Sequence, residues 1–291
     1  MTTRQAWTTP AAERSCVSMP EAQLLTYRVH EITPYINWTY FFHAWGFKPT
    51  AAHSTEARQL QEDAFLLLEE SEDVLTLPCL FRLCRANADE DNLLIEDTVF
   101  PLLRQQKPGT KGSPHLCLSD FVRPLSSGRT DTVGLFASTV NGLETLHTPD
   151  DPYRDLLVQT LGDRLAEAAT EKMHQYVRRT AWGYAPDEDL PIPDLLAERF
   201  QGIRPAVGYP SLPDQSVNFI LDALLDMQRI GITLTENGAM HPHSSVSGLM
   251  LAHPAARYFA IGRIGEDQLK DYARRRGLPI DVMRKFLAAV L

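Results

Sequence analysis

The densest grouping of chemically useful residue types is GIRPAVGYPSLPDQS, residues 202–216. Proline fixes φ and glycine permits positive φ, so a run with three prolines and two glycines is shaped to one path. Arg204 and Tyr209 are the functional side chains it presents, and the run reads as a rigid polar turn built to hold something. A second grouping is Asp163, Glu167 and Glu171, an i, i+4 acidic stripe that pattern alone assigns to the solvated face of a helix. His241, His243 and His253 lie close in sequence, and loop histidines in such company read as surface or hydrogen-bonded groups before metal ligands. Cys79 and Cys84 have C-x4-C spacing inside an apolar, strand-like run, where a metal pair is the lesser reading. With Cys16 and Cys117 they make four cysteines, too few for a disulfide scaffold, so the expectation is unpaired thiols in a reducing, cytoplasmic setting.

The elements that must position these groups follow from periodicity. Residues 54–72 have apolar residues at helical spacing behind a serine entry and predict a helix. Residues 151–184 predict the longest helix, with Asp150 or Asp151 as cap, Pro152 in the first turn, and Leu157, Leu161, Leu165, Ala168 and Met173 on one face. Another helix is expected over 216–231, and two short ones over 266–291, broken at Gly277-Leu278-Pro279. Residues 74–86 and 93–96 read as strands about the turn NADEDN, with further strands at 115–122 and 132–139. Residues 231–240 and 244–264 supply more strand material, turning at His253-Pro254. The aromatic-dense stretch 31–47 must be mostly buried or face a partner. Helices and strands do not alternate regularly, which predicts an α+β fold with a mainly antiparallel sheet. Residues 1–25 read as a loose N-terminal arm and 26–291 as one domain.

Composition removes several functions. The net charge of -9 disfavours nucleic-acid or anionic-membrane binding. No run approaches 18 apolar residues, and the N-terminus has no apolar core like a signal peptide's. There is no G-x-G-x-x-G turn after a strand, no phosphate-binding G-x-x-x-x-G-K-[ST] loop, no H-E-x-x-H, and no cysteine cluster for an iron–sulfur centre.

The run RPAVGYPSLPD resembles the R-P-A-P-G-Y-P-A-C-P-[DE] signature of the S-adenosylmethionine-binding activation domain of cobalamin-dependent methionine synthase. Four further blocks are similar to that family's, in the same order: YINWTYFFHAWGFK, HLCLSDFVRPLSSGRTDTVGLFAST, RRTAWGYAPDEDL and SSVSGLMLAHPAARYFAIGRIGEDQLKDYARRRGL. The resemblance runs from about residue 27 to 288 and implies a C-shaped single α+β domain around a bent antiparallel sheet. It also implies a function: S-adenosylmethionine is brought to inactive cob(II)alamin while flavodoxin or another low-potential reductant supplies an electron, and methylation traps the unfavourable reduction. The sequence shows no D-x-H-x-x-G cobalt-ligand motif, so the expectation is a free-standing activation domain whose cobalamin is carried by a partner methionine synthase polypeptide.

Carried over residue by residue, the resemblance places Asn37, Glu167, Arg204, Ala206, Gly208, Tyr209 and Tyr258 at the S-adenosylmethionine site, with no catalytic side chain and no metal ligand. Arg204 is expected to grip the methionyl carboxylate, residues 206–209 to offer backbone contacts, and Glu167 to face the cation. Two departures stand out. Asn37 replaces the aspartate of the family's Y-I-D-W-T, which removes a negative charge, and Gln215 replaces the histidine that follows the signature. Two alternatives stay open: a corrinoid-protein capping module without methyl delivery, and an activator of a different corrinoid methyltransferase.

Overall fold

A computed structural model of the chain describes residues 4–8, 16–48, 54–107, 112–148 and 150–291. Its spine is β2 (Leu77–Asp89). Along one edge β2 pairs antiparallel with β5 (Asp131–Thr139), Cys79 opposite Ser138. The other edge is shared: β1 (Gln23–Tyr27) takes the N-terminal part, Tyr27 opposite Leu77, and β3 (Asn92–Ile95) takes the C-terminal part, Asn92 opposite Asp89. β4 (Thr98–Pro101) flanks β3, completing a six-stranded sheet in which β8 (Ser245–Met250) flanks β5. Two dipeptide strands, β6 (Thr233–Leu234) and β7 (Met240–His241), make a separate ribbon. The sheet is bent and flanked by helices, a single C-shaped α+β domain. No helix among the described residues is long and apolar enough to cross a membrane.

Both faces of the sheet are buried, because alternate residues of a strand point to opposite sides. Leu77, Cys79, Phe81 and Leu83 enter one core, with α3 (Thr55–Glu70) and α4 (Pro152–Tyr176). Leu80, Cys84 and Ala86 enter the other, with α6 (Asn218–Leu225). The C-x4-C pair is therefore split between faces. Both thiols are buried, and burial pushes Cys84 up to about 11 and Cys79 higher still, which keeps them protonated. A third, smaller core joins α7 (Glu266–Arg276) to α8 (Ile280–Phe286).

The helix ends follow local chemistry. Ser54 Oγ accepts from the Ala57 amide, and Leu60, Ala64, Leu67 and Leu68 form the buried stripe of α3. Asp151 accepts from the Arg154 amide at the start of α4. Past Tyr176 this helix widens into a π turn, Val177–Ala181, closed by the Trp182 amide on the Val177 carbonyl at 2.8 Å. The aromatic stretch forms α1 (Val29–Ile32), a 3-10 turn, and α2 (Trp38–Ala44), with Phe41 and Phe42 buried and Tyr40 exposed. A short α5 (Ile192–Leu196) precedes the signature turn.

Three sequence expectations are corrected. Residues 115–122 are not a strand: only His115 and Cys117 make isolated bridges, and Leu118–Phe121 is a 3-10 turn. Asp120 accepts from the Cys117 amide at 2.9 Å and pairs with the buried Arg104 guanidinium at 2.7 and 2.8 Å, so a buried charge folds the chain back. The helix expected over 216–231 is cut at Asp226, whose φ is 56, because the Asp222 carboxylate captures the Met227 amide at 2.9 Å. The strand expected over 244–264 ends at Met250, and its later apolar residues, Ile261 and Ile264, pack on the third core without regular structure. Strand β1 (Gln23–Tyr27) crosses the expected boundary between the loose arm and the domain at 25/26, and neither it nor β4 is signalled by the sequence pattern.

The signature run lies along the free edge of β8. Ile203 bridges Leu251 and Ala206 bridges Gly248, while the Val207 amide donates to Ser247 O at 2.9 Å and the Leu249 amide to Pro205 O at 3.0 Å. Gly248 permits this approach, since a Cβ there would stand 2.2 Å from the Pro205 carbonyl oxygen. We predict that Gly248→Ala forces the run off β8 and lowers stability by about 1–3 kcal/mol, read as the midpoint of urea unfolding. An unchanged midpoint would mean that the run is not seated this way.

Candidate functional site

The turn itself is closed by its own backbone. The Gly208 amide donates to Leu212 O and the Leu212 amide to Tyr209 O, both at 2.9 Å. Gly208 has φ 86 with open space where a Cβ would be, so the backbone conformation alone asks for glycine. Beyond the turn, buried Asp214 accepts from Ser216 N and Oγ and from the Tyr272 hydroxyl at 2.8 Å, which fastens the signature's last acid to α7. On the other side the Ile261 amide donates to Pro210 O at 2.8 Å.

This rigid wall faces a cavity of 520 Å³. Arg204, Ala206 and Tyr209 line it from the turn, Glu167 and Arg164 from α4, Tyr40 from α2, Tyr258 from the irregular 253–264 segment, and Glu198 from the loop after α5. A recess of 90 Å³ shares Tyr40, Arg164, Glu167, Glu198 and Arg204 and adds Asn37 and Glu171. Thus Glu167, Arg204, Ala206, Tyr209 and Tyr258 converge on one cavity and Asn37 on the adjoining recess. Gly208 shapes the turn and is not a lining residue.

Arg204 is held from several directions. Its Nη2 donates to Glu171 Oε2 at 2.8 Å, its backbone amide donates to the Tyr258 hydroxyl at 2.9 Å, and its guanidinium lies 5.9 Å from the Phe136 ring centroid. Burial works against its charge, but Glu171, Tyr258 and Glu167 more than offset that and hold its pKa above the ordinary value. Glu171 is therefore no part of a solvated face: it is 7 % exposed and pairs with the site's arginine. The Tyr209 hydroxyl donates to Glu167 Oε1, and burial, followed by the Glu167 charge, pushes the phenol's pKa up so that it remains a neutral donor. Glu198 escaped the sequence reading altogether. It occupies the left-handed region at φ 57, uncommon for a residue with a side chain, and desolvation raises its carboxyl despite the opposing Arg204 charge.

Behind Glu171 sits a second guanidinium. Arg178 is wholly buried and grips both oxygens of Glu188 at 2.7 and 2.8 Å, with Nη1 donating to His174 Nδ1 at 2.8 Å. Its plane stacks 3.8 Å from the Phe200 ring centroid, and it lies 3.9 Å from Glu171 Oε1. Because arginine only donates, His174 Nδ1 is unprotonated and its proton is on Nε2, towards the Tyr184 hydroxyl at 3.5 Å. The WGYAPDE block delivers Glu188 by turning back on the π turn, the Ala185 amide donating to Arg178 O at 3.0 Å.

A bent antiparallel sheet whose edge carries a rigid arginine-bearing turn, with carboxylates and tyrosines opposite, defines an α+β domain for a small charged ligand. Comparison agrees. The family model described as "Vitamin B12 dependent methionine synthase, activation domain" matches residues 28–277. A crystal structure of the MetH reactivation domain bound to AdoHcy is similar with a TM-score of 0.87 and 35% sequence identity, covering 95% of this chain and 92% of that one. The chain belongs to the activation-domain family of vitamin B12-dependent methionine synthase.

The buried network has a pH consequence. Burial, then the Arg178 and Arg204 charges, hold the His174 pKa well below its ordinary value, so the folded ring is neutral. The unfolded ring takes a proton below about pH 6.5. Stability is then complete above that pH and falls as pH is lowered, by up to about 1.4 kcal/mol per pH unit for this group. We predict that His174→Gln, which keeps an acceptor for Arg178, flattens the decline in thermal midpoint between about pH 7 and 5.5. Parallel curves for the two proteins would contradict it.

Proposed function

We propose that the cavity binds S-adenosylmethionine and that the chain thereby supports reductive methylation of cob(II)alamin carried by a methionine synthase polypeptide, with an electron from flavodoxin or another low-potential reductant. The observation that carries this reading is the convergence of Arg204, Glu167 and Glu198 on one cavity, in a chain 35% identical to a domain crystallised with AdoHcy. AdoHcy is S-adenosylmethionine without its transferable methyl group and the attendant positive charge.

The residues present fit such a ligand. The cavity volume is within the range of about 300–1,000 Å³ usual for small-molecule sites. Arg204 Nε is buried without a hydrogen-bond partner among the described residues, and its Nη2 is already committed to Glu171. Glu171 thus fixes the guanidinium, whose remaining donors meet the ligand's carboxylate. Glu167 and Glu198 attract its ammonium and sulfonium charges, and the Tyr209 hydroxyl on Glu167 marks where a donor is welcome. Ala206 through Tyr209 supply backbone contacts, and Tyr258 fixes the Arg204 amide from the opposite wall. When bound, S-adenosylmethionine supplies an electrophilic methyl group. The chain's own task is to orient that group towards an open face, for which its tyrosine-lined cavity is suited.

Calorimetric titration should show one S-adenosylmethionine site. Arg204→Lys keeps a cation for Glu171 but loses the planar fork, and we predict binding weaker by about tenfold. With a cobalamin-loaded methionine synthase polypeptide, S-adenosylmethionine and reductant, cob(II)alamin absorbance should decay only when this chain is added. Equal decay without it would remove the reading.

Asn37 takes part in this proposal as the neutral substitute for a carboxylate. It is the N-cap residue of α2 yet makes no side-chain cap hydrogen bond, which leaves its amide to the recess it lines. A charge-assisted hydrogen bond is worth about 1.5–3 kcal/mol against about 1 for a neutral one. Asn37→Asp is therefore expected to tighten S-adenosylmethionine by about tenfold. An unchanged or weaker constant would place the amide away from the ligand's cation.

A further inference from the structure

The wall of the cavity that carries Tyr258 has no regular secondary structure from 252 to 265. It is ordered by contacts, and several come from residues 4–8, which lie outside the matched family segment of 28–277. Trp7 meets the His253 ring edge-on, centroids 5.8 Å apart, and the Arg123 guanidinium lies 4.8 Å from the Trp7 centroid. His253 Nε2 is 2.8 Å from Thr8 O, and His253 Nδ1 accepts from the Ala255 amide at 3.1 Å. The second contact fixes the tautomer: Nδ1 is the acceptor, so Nε2 carries the proton and donates to Thr8. Arg257 donates to Gln5 Oε1 at 3.1 Å, and Arg4 reaches Asp91 at 3.5 Å. One imidazole, 6 % exposed, thus joins the start of the wall to the N-terminal segment.

We propose that residues 4–8 are a strap that sets the position of the Tyr258 wall, with Trp7 and His253 as positioning residues for the ligand site. The strap does not touch the cavity. It acts through His253, five residues before Tyr258, whose hydroxyl accepts from the Arg204 amide. Losing the Trp7 ring removes an aromatic contact and loosens the Thr8 carbonyl that His253 needs. The wall then samples positions in which Tyr258 is off Arg204.

The ligand consequence rests on the S-adenosylmethionine reading, whereas the strap is measured without ligand. Amide hydrogen exchange of the ligand-free protein should show faster exchange over 253–261 in Trp7→Ala, with β2, β5 and β8 as protected as before. Trp7→Phe, which keeps a ring on His253, should restore the wild-type pattern. In calorimetry with S-adenosylmethionine, Trp7→Ala should bind about five- to tenfold more weakly and Trp7→Phe within about twofold of wild type. Unchanged exchange over 253–261 in Trp7→Ala would overturn the strap. Faster exchange there with an unaltered binding constant would overturn its role in positioning the site. If wild-type protein binds no S-adenosylmethionine, the functional reading falls while the exchange data still decide the strap.

Discussion

The site depends on a guanidinium held where water is largely excluded, and most of the surrounding structure serves to make that possible. A buried charge is costly unless it is paired and hydrogen-bonded. Arg204 is paired with Glu171 at 2.8 Å, and the other oxygen of Glu171 lies 3.9 Å from Arg178. Arg178 in turn has Glu188, His174 and the face of Phe200. The order of these charges along the chain is 171, 178, 188 and 204, so a long helix, a π turn, a returning loop and the signature turn are all fixed by one chain of pairs. Removing a member leaves an unpaired charge in the interior, an effect of about 3–5 kcal/mol.

That dependence explains why the motifs are spaced as they are. The π turn at Val177–Ala181 shifts the end of α4, and Trp182, Gly183 and Tyr184 then reverse the chain so that Glu188 reaches Arg178. Gly202 begins the signature with φ 87, where a Cβ would stand 2.5 Å from Leu251 O and 2.8 Å from the Tyr184 hydroxyl. The WGY block and the signature therefore meet at a glycine. The signature's own rigidity is closed at its far end by Asp214, which has no place in the cavity and holds the turn to Tyr272.

Much of this was legible in the sequence because the informative residues are backbone specialists and ordered blocks. Gly208 and the three prolines announced a fixed path, and the long apolar stripe of α4 announced its helix. Glu171 reads as solvated in the sequence because helical spacing cannot tell a solvated acidic stripe from one that faces an arginine 33 residues away. Glu198 was invisible for a related reason: its place at the cavity comes from a left-handed backbone conformation that no local residue pattern signals. Alternating apolar residues over 115–122 suit a strand and equally suit a 3-10 turn at Leu118–Phe121 folded onto a buried Arg104–Asp120 pair. In each case a long-range charge pair or a strained backbone overrode a local pattern.

The charge balance of the cavity and its recess gives the neutral Asn37 a physical rationale. Their lining residues include three carboxylates, Glu167, Glu171 and Glu198, against two guanidiniums, Arg164 and Arg204. Counted at their formal charges, these described residues sum to one negative charge. S-adenosylmethionine, with an ammonium, a sulfonium and a carboxylate, carries one net positive charge. An aspartate at position 37 would bring a fourth carboxylate into the recess that Glu198 also lines, and desolvation already raises the Glu198 carboxyl, with Glu171 raising it further. That repulsion opposes the gain, so the roughly tenfold tightening expected of Asn37→Asp is what remains of the charge-assisted contact after it. An amide there forgoes one charge-assisted contact while sparing that repulsion, so a neutral residue at this position is compatible with a site for a cation.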